Sequence, residues 1–78
     1  MVIKVFSTPS CVFCVTLKNF LKEHNIEFED IDVSQDKVAQ DEMIKKSGQM
    51  GVPVIEIDSQ VVVGFDQGKI KKLLKITE

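Results

Sequence analysis

Cys11 and Cys14 are the two cysteines of the chain, and Val12 and Phe13 separate them. A thiolate is the nucleophile of thiol–disulfide exchange, so a close pair of cysteines is first of all a redox candidate. The pair falls where a β-rich run ends and an amphipathic helical pattern begins. At a helix N-terminus the unpaired N–H groups and the helix dipole favour an anion, which stabilises a thiolate at Cys11. Cys14 lies one turn in, where its N-terminally tilted side chain can approach the first sulfur. An exposed attacking thiol followed by a sheltered resolving thiol suits exchange. Cys11 would form a mixed disulfide with a substrate, and Cys14 would displace the reduced product.

Two plainer readings stand beside this one. The pair could be half of a zinc site, but structural zinc takes four Cys or His ligands and the chain adds only His24, far along the same helix. The cysteines could also be small apolar core residues. A CxxC beside a βαβ pattern points to redox chemistry, and no metal site is expected. His24, distant from the motif, is expected to complement a helix C-terminus.

The elements around the pair follow from periodicity. Val2 to Phe6 reads as a strand covered on both faces, with only Lys4 polar. From Val12 to about Glu23, Phe13, Leu17 and Leu21, with Cys14 and Phe20 alongside, mark an amphipathic helix. Ile26, Phe28 and Ile31 fall in a second strand. Asp36 to Ser47 reads as a helix with Val38, Ala39, Met43 and Ile44 inward, capped by Ser34 or Asp36. Val54–Ile57 and Val61–Val63, separated by Asp58-Ser59-Gln60, form a hairpin. Asp66 opens a last helix with Ile70, Leu73 and Leu74 at helical spacing. The order β-α-β-α-β-β-α implies an α/β fold: a four-stranded mixed sheet flanked by three helices on both faces.

Composition narrows the function. The 78 residues make one domain, 1–78, and 44% hydrophobic content excludes a disordered tail. A net charge of −2 offers no basic surface for nucleic acid. No apolar run nears the roughly 20 residues of a membrane span, and the N-terminus lacks the marks of a signal peptide. A cytoplasmic location is expected, where a lasting structural disulfide would be unusual.

Two further segments invite a ligand. Proline at position 53 marks a strand start or edge, and a cis Val52-Pro53 bond would turn the Val52 backbone toward a peptide-like ligand. Asp66 reads as an N-cap, and the same helix end could receive a carboxylate.

Taken together, Thr8-Pro9-Ser10-Cys11-x-x-Cys14 after a strand, Val52-Pro53 before the third strand and Gly64-Phe65-Asp66 at the last helix resemble a glutaredoxin over essentially the whole chain. The resemblance implies the thioredoxin fold, with Pro53 cis and facing the cysteines, and reversible exchange through Cys11 resolved by Cys14. It implies glutathione as co-substrate, with no tightly bound cofactor. The glutathione groove would be formed by Thr8, Phe13, Gln40, Val52, Pro53, Gly64, Phe65 and Asp66. Val52 would pair with the cysteinyl part, Gly64 to Asp66 would hold the γ-glutamyl end, and Gln40 would reach the glycine carboxylate. The expected partners are glutathione and disulfide-containing proteins, met by a monomer.

The chain departs from the family pattern in three places. Val12-Phe13 replaces the frequent Pro-Tyr, Thr8 stands at a commonly basic position, and Met50-Gly51 precedes Val52-Pro53 without the usual basic residue. These changes remove charge that would meet glutathione carboxylates, at about 1.5–3 kcal/mol per contact. They favour an alternative: a redoxin fed by thioredoxin reductase that serves ribonucleotide reductase. A third reading, from family members that bridge an iron–sulfur cluster between subunits, competes with Cys14 as a resolving thiol.

Overall fold

The computed structural model describes residues 2–75. The elements are β1 (Ile3–Ser7), α1 (Val12–Glu23), β2 (Glu29–Asp32), α2 (Lys37–Ser47), β3 (Val54–Ile57), β4 (Gln60–Val63) and α3 (Gln67–Leu74). Each helix starts on a side chain that accepts from an orphan backbone N–H. Cys11 Sγ accepts from Cys14 N, Asp36 Oδ1 from Ala39 N and Asp66 Oδ1 from Lys69 N, at 3.1, 3.1 and 3.2 Å. Gly48 ends α2 in the left-handed region at φ 74°, which costs glycine nothing.

The strands form one sheet in the order β2-β1-β3-β4, with β1 and β2 parallel and the other pairs antiparallel. Alternation along the strands splits the apolar side chains between two cores. Val5, Ile55, Val62 and their neighbours pack with Leu17, Leu21 and Ile70 from α1 and α3. Phe6 and Val54 pack with Ala39 and Met43 of α2 on the other face. This is the α/β thioredoxin fold.

Four local expectations are corrected. Val38 is 78% exposed, because the inward stripe of α2 runs through Ala39 and Met43 and Val38 falls to one side of it, at least about 100° round the helix from either. Phe13 stays on the surface, since the stripe of α1 that the sheet covers begins at Cys14. Ile26 and Phe28 precede β2 instead of lying in it, half-buried against the α1–α3 core, and pairing with β1 begins at Lys4↔Glu29. Gln60 belongs to β4, opposite Ile57, so the hairpin turn is Asp58-Ser59 alone.

Candidate active site

The strand register gathers three segments at one end of the sheet. Phe6 pairs with Val54, and Val54 pairs with Val63. The turn after β1, the residues before β3 and those after β4 therefore emerge side by side. They carry Thr8 to Cys11, Val52-Pro53 and Gly64 to Asp66, respectively. The Val52-Pro53 bond is cis, and Gly64 N donates to Pro53 O at 2.8 Å, tying the second segment to the third. Gly64 has φ 78°, a conformation glycine adopts without strain.

Cys11 N donates to Thr8 O at 3.2 Å, which closes the turn and sets Cys11 at the start of α1. Cys11 is half-buried and Cys14 is 0% exposed. The two form a disulfide, with Cα atoms 5.2 Å apart. The Cys14 N–H aimed at Cys11 Sγ is the kind of donor that stabilises a thiolate. One sulfur is thus reachable and electrostatically favoured as an anion, while its partner is sheltered one turn below.

Matching of the glutaredoxin family model extends over residues 3–62. The chain belongs to the glutaredoxin family. It is 45% identical over 73 residues to a glutaredoxin-like 8.6 kDa protein in the rubredoxin operon of Clostridium pasteurianum, covering 94% of this chain and 97% of that one. It is 30% identical over 64 residues to glutaredoxin 3 of Escherichia coli, covering 82% and 77%. Among solved structures, a variant of the thioredoxin-like protein BC3987 superposes with a TM-score of 0.91 at 36% identity, covering 96% of both chains. The cysteine pair is therefore that of a glutaredoxin-like thiol oxidoreductase.

The other residues expected of a glutaredoxin groove lie as follows. Thr8 and Val52 are half-buried, Pro53 is buried and Phe13 is 66% exposed. Phe65 is half-buried and meets Phe20 edge-to-face at 5.7 Å, which anchors the Gly64–Asp66 segment to α1. Gln40 is half-buried at the start of α2, which follows the end of β2 beside Ser7. His24 packs against Phe20 with ring centroids 4.6 Å apart and the planes tilted by 58°, at the opposite end of α1 from the cysteines.

Sequence reasoning missed two groups. Gln49 clamps Gly51, accepting from its N–H and donating to its carbonyl at 2.9 Å, while Ser47 Oγ donates to Gln49 O at 2.9 Å. These bonds shape the approach to cis Pro53. Ser7, Lys18 and Asp30 form a polar cluster beside the Thr8-Pro9 turn, bordering a cleft of about 260 Å³. Neither group has a sequence signature, because each depends on tertiary approach. A groove of about 770 Å³ runs between α1 and residues 26–30 and includes neither cysteine. Among the described residues no three His, Cys, Asp or Glu side chains are grouped to hold a metal ion. No helix there is long and apolar enough to cross a membrane.

Proposed function

We propose that the chain is a dithiol thiol–disulfide oxidoreductase that reduces protein or glutathione mixed disulfides in the cytoplasm. The observation that carries this reading is the asymmetry of the pair, with Cys11 reachable at a helix N-terminus and Cys14 buried beneath it. Cys11 thiolate attacks a substrate sulfur and releases the first thiol. Cys14 then attacks Cys11 Sγ, the mixed disulfide breaks, and the second thiol departs as the Cys11–Cys14 disulfide forms. Thr8, Phe13 and the Val52-Pro53 and Gly64–Asp66 segments bind the substrate, with Gln40 reaching a terminal carboxylate of glutathione. Glutathione is the co-substrate that returns the pair to its dithiol form.

A second reading is favoured by one observation. Neither residues 5–17 nor residues 47–68 contain Lys or Arg, whereas Val12, Phe13, Met50 and Val63 are exposed apolar side chains. A surface of that kind suits a protein partner better than a tripeptide with two carboxylates. In this reading thioredoxin reductase supplies the electrons and ribonucleotide reductase receives them. The deciding experiment follows NADPH consumption with a mixed-disulfide substrate, comparing glutathione plus glutathione reductase with thioredoxin reductase. Faster turnover with the first couple supports the glutathione reading, and faster turnover with the second overturns it.

A further inference from the structure

Gly51 precedes Val52-Pro53, and one side chain takes both of its backbone polar groups. Gln49 Oε1 accepts from Gly51 N, and Gln49 Nε2 donates to Gly51 O at 2.9 Å. This clamp is rooted in the end of α2. Gln49 N donates to Ser47 Oγ at 3.4 Å, and Ser47 Oγ donates to Gln49 O at 2.9 Å. The same hydroxyl lies 2.6 Å from the carbonyl of Met43, a residue buried in the α2 core. The clamp needs glycine at position 51, because a Cβ there would stand 2.7 Å from Gln49 Oε1.

The residue after Val52 is tied as well. Pro53 has no N–H, and its carbonyl accepts from Gly64 N at 2.8 Å. Val52, half-buried, stands between these two fixed neighbours. Among the described residues its own N–H and C=O have no hydrogen-bond partner. A fixed donor and acceptor on one residue are the groups that an extended peptide satisfies when it lies alongside. The sheet register brings them to the cysteines. Phe6 pairs with Val54, so Thr8 and Val52 each lie two residues past that rung, and Thr8 O accepts from Cys11 N at 3.2 Å.

We infer that Gln49 is a positioning residue that, by fixing Gly51, holds the Val52 N–H and C=O for the backbone beside the substrate cysteine, a role that rests on the thiol–disulfide exchange proposed above. The clamp thereby selects disulfides whose cysteine is flanked by amides over disulfides without them. No hydrogen bond links Gln49 to either cysteine, so it acts on how the substrate is held and leaves the reactivity of Cys11 alone.

The test is stopped-flow reaction of the reduced protein with probes that share one leaving group. Dithiobis(nitrobenzoate) has no amide, while a tripeptide capped at both ends carries nitrothiobenzoate on its central cysteine. With each probe Cys11 thiolate attacks, a bond from Cys11 to the probe sulfur forms, and the bond to nitrothiobenzoate breaks. The electron pair leaves on the coloured thiolate. Gln49→Ala should slow the peptide about tenfold, the loss expected when two backbone hydrogen bonds weaken. It should leave dithiobis(nitrobenzoate) within about twofold. Gly51→Ala should give the same split, since its Cβ displaces the Gln49 amide, and it carries the test if Gln49→Ala folds poorly. The double variant should be no slower than either single one, because both remove the same clamp. Glutathione bearing the same leaving group separates two sources of the amides. A deficit like the peptide's means that the tripeptide reaches Val52, and a smaller one means that the clamp serves protein segments. Equal slowing with dithiobis(nitrobenzoate) and the capped peptide, slowing with neither, or additive losses in the double variant would overturn the role of Gln49 alone. Wild-type protein that releases no coloured thiol from any probe would overturn the exchange reading and the clamp with it.

Discussion

Replacing either sulfur should separate the two roles of the pair. Cys11→Ser removes the attacking atom and should bring disulfide reduction to background. Cys14→Ser should accumulate a mixed disulfide, visible by mass spectrometry as the added mass of the substrate thiol. It should keep turnover of glutathionylated substrates by a monothiol route. Activity in Cys11→Ser with none in Cys14→Ser would reverse the assignment. Asp66 is exposed and its carboxylate accepts from Lys69 N, so its structural contribution is that of a cap. Asp66→Ala should cost about 1 kcal/mol of stability, measured by urea unfolding. A much larger loss would mean that the residue also holds the Gly64–Phe65 segment in place.

Among the elements, α2 is more lightly anchored than α1. It buries only Ala39 and Met43, against four buried residues in α1. Met43→Ala should therefore destabilise the domain by about 2–5 kcal/mol, at the cost of a cavity beside Phe6 and Val54. Equilibrium unfolding measures it, and a change under about 1 kcal/mol would mean that α2 collapses onto the gap. The same helix shows where the sequence was readable and where it was not. Its limits and its Asp36 cap are legible, because capping and the glycine stop are local chemistry. The outward turn of Val38 is not, because an apolar residue beside the inward stripe scores like one within it. Likewise the cysteines, Val52-Pro53 and Gly64–Asp66 are legible as motifs in the chain. Ser7, Lys18 and Asp30 become a cluster only when β1 pairs with β2 and α1 lies across them.

At the scale of the whole molecule, four charges stitch α2 to the sheet. Lys4 of β1 meets Glu42 at 3.6 Å, Glu42 meets Lys46 at 2.8 Å, and Lys46 meets Glu56 of β3 at 2.9 Å. The hydrogen bond from Lys46 lowers the Glu42 pKa below its ordinary 4.5, with the charges of Lys46 and Lys4 adding to it. Hydrogen bonds to Glu42 and then Glu56 raise that of Lys46 above 10.5. A depressed carboxylate stabilises the fold above its unfolded pKa, and loses that contribution as pH falls through the folded value. A raised lysine contributes below its unfolded pKa and loses the contribution at still more alkaline pH. Glu42→Gln should therefore cost stability at neutral pH and almost nothing near pH 3. The loss should stay under about 1 kcal/mol, because both side chains are about one-third exposed and screened. Urea unfolding of both proteins at the two pH values checks this, and a pH-independent difference would assign the effect to packing. The sheet order has a consequence for association. Its two outer strands are unlike: β2 reads Glu-Asp-Ile-Asp, while β4 is Gln60 and three valines without a charge. Two copies meeting along β2 would crowd six carboxylates together, so that border guards itself against strand addition. Aggregation at high concentration would instead grow from the β4 border, and a lysine in place of exposed Gln60 is the substitution that would close it.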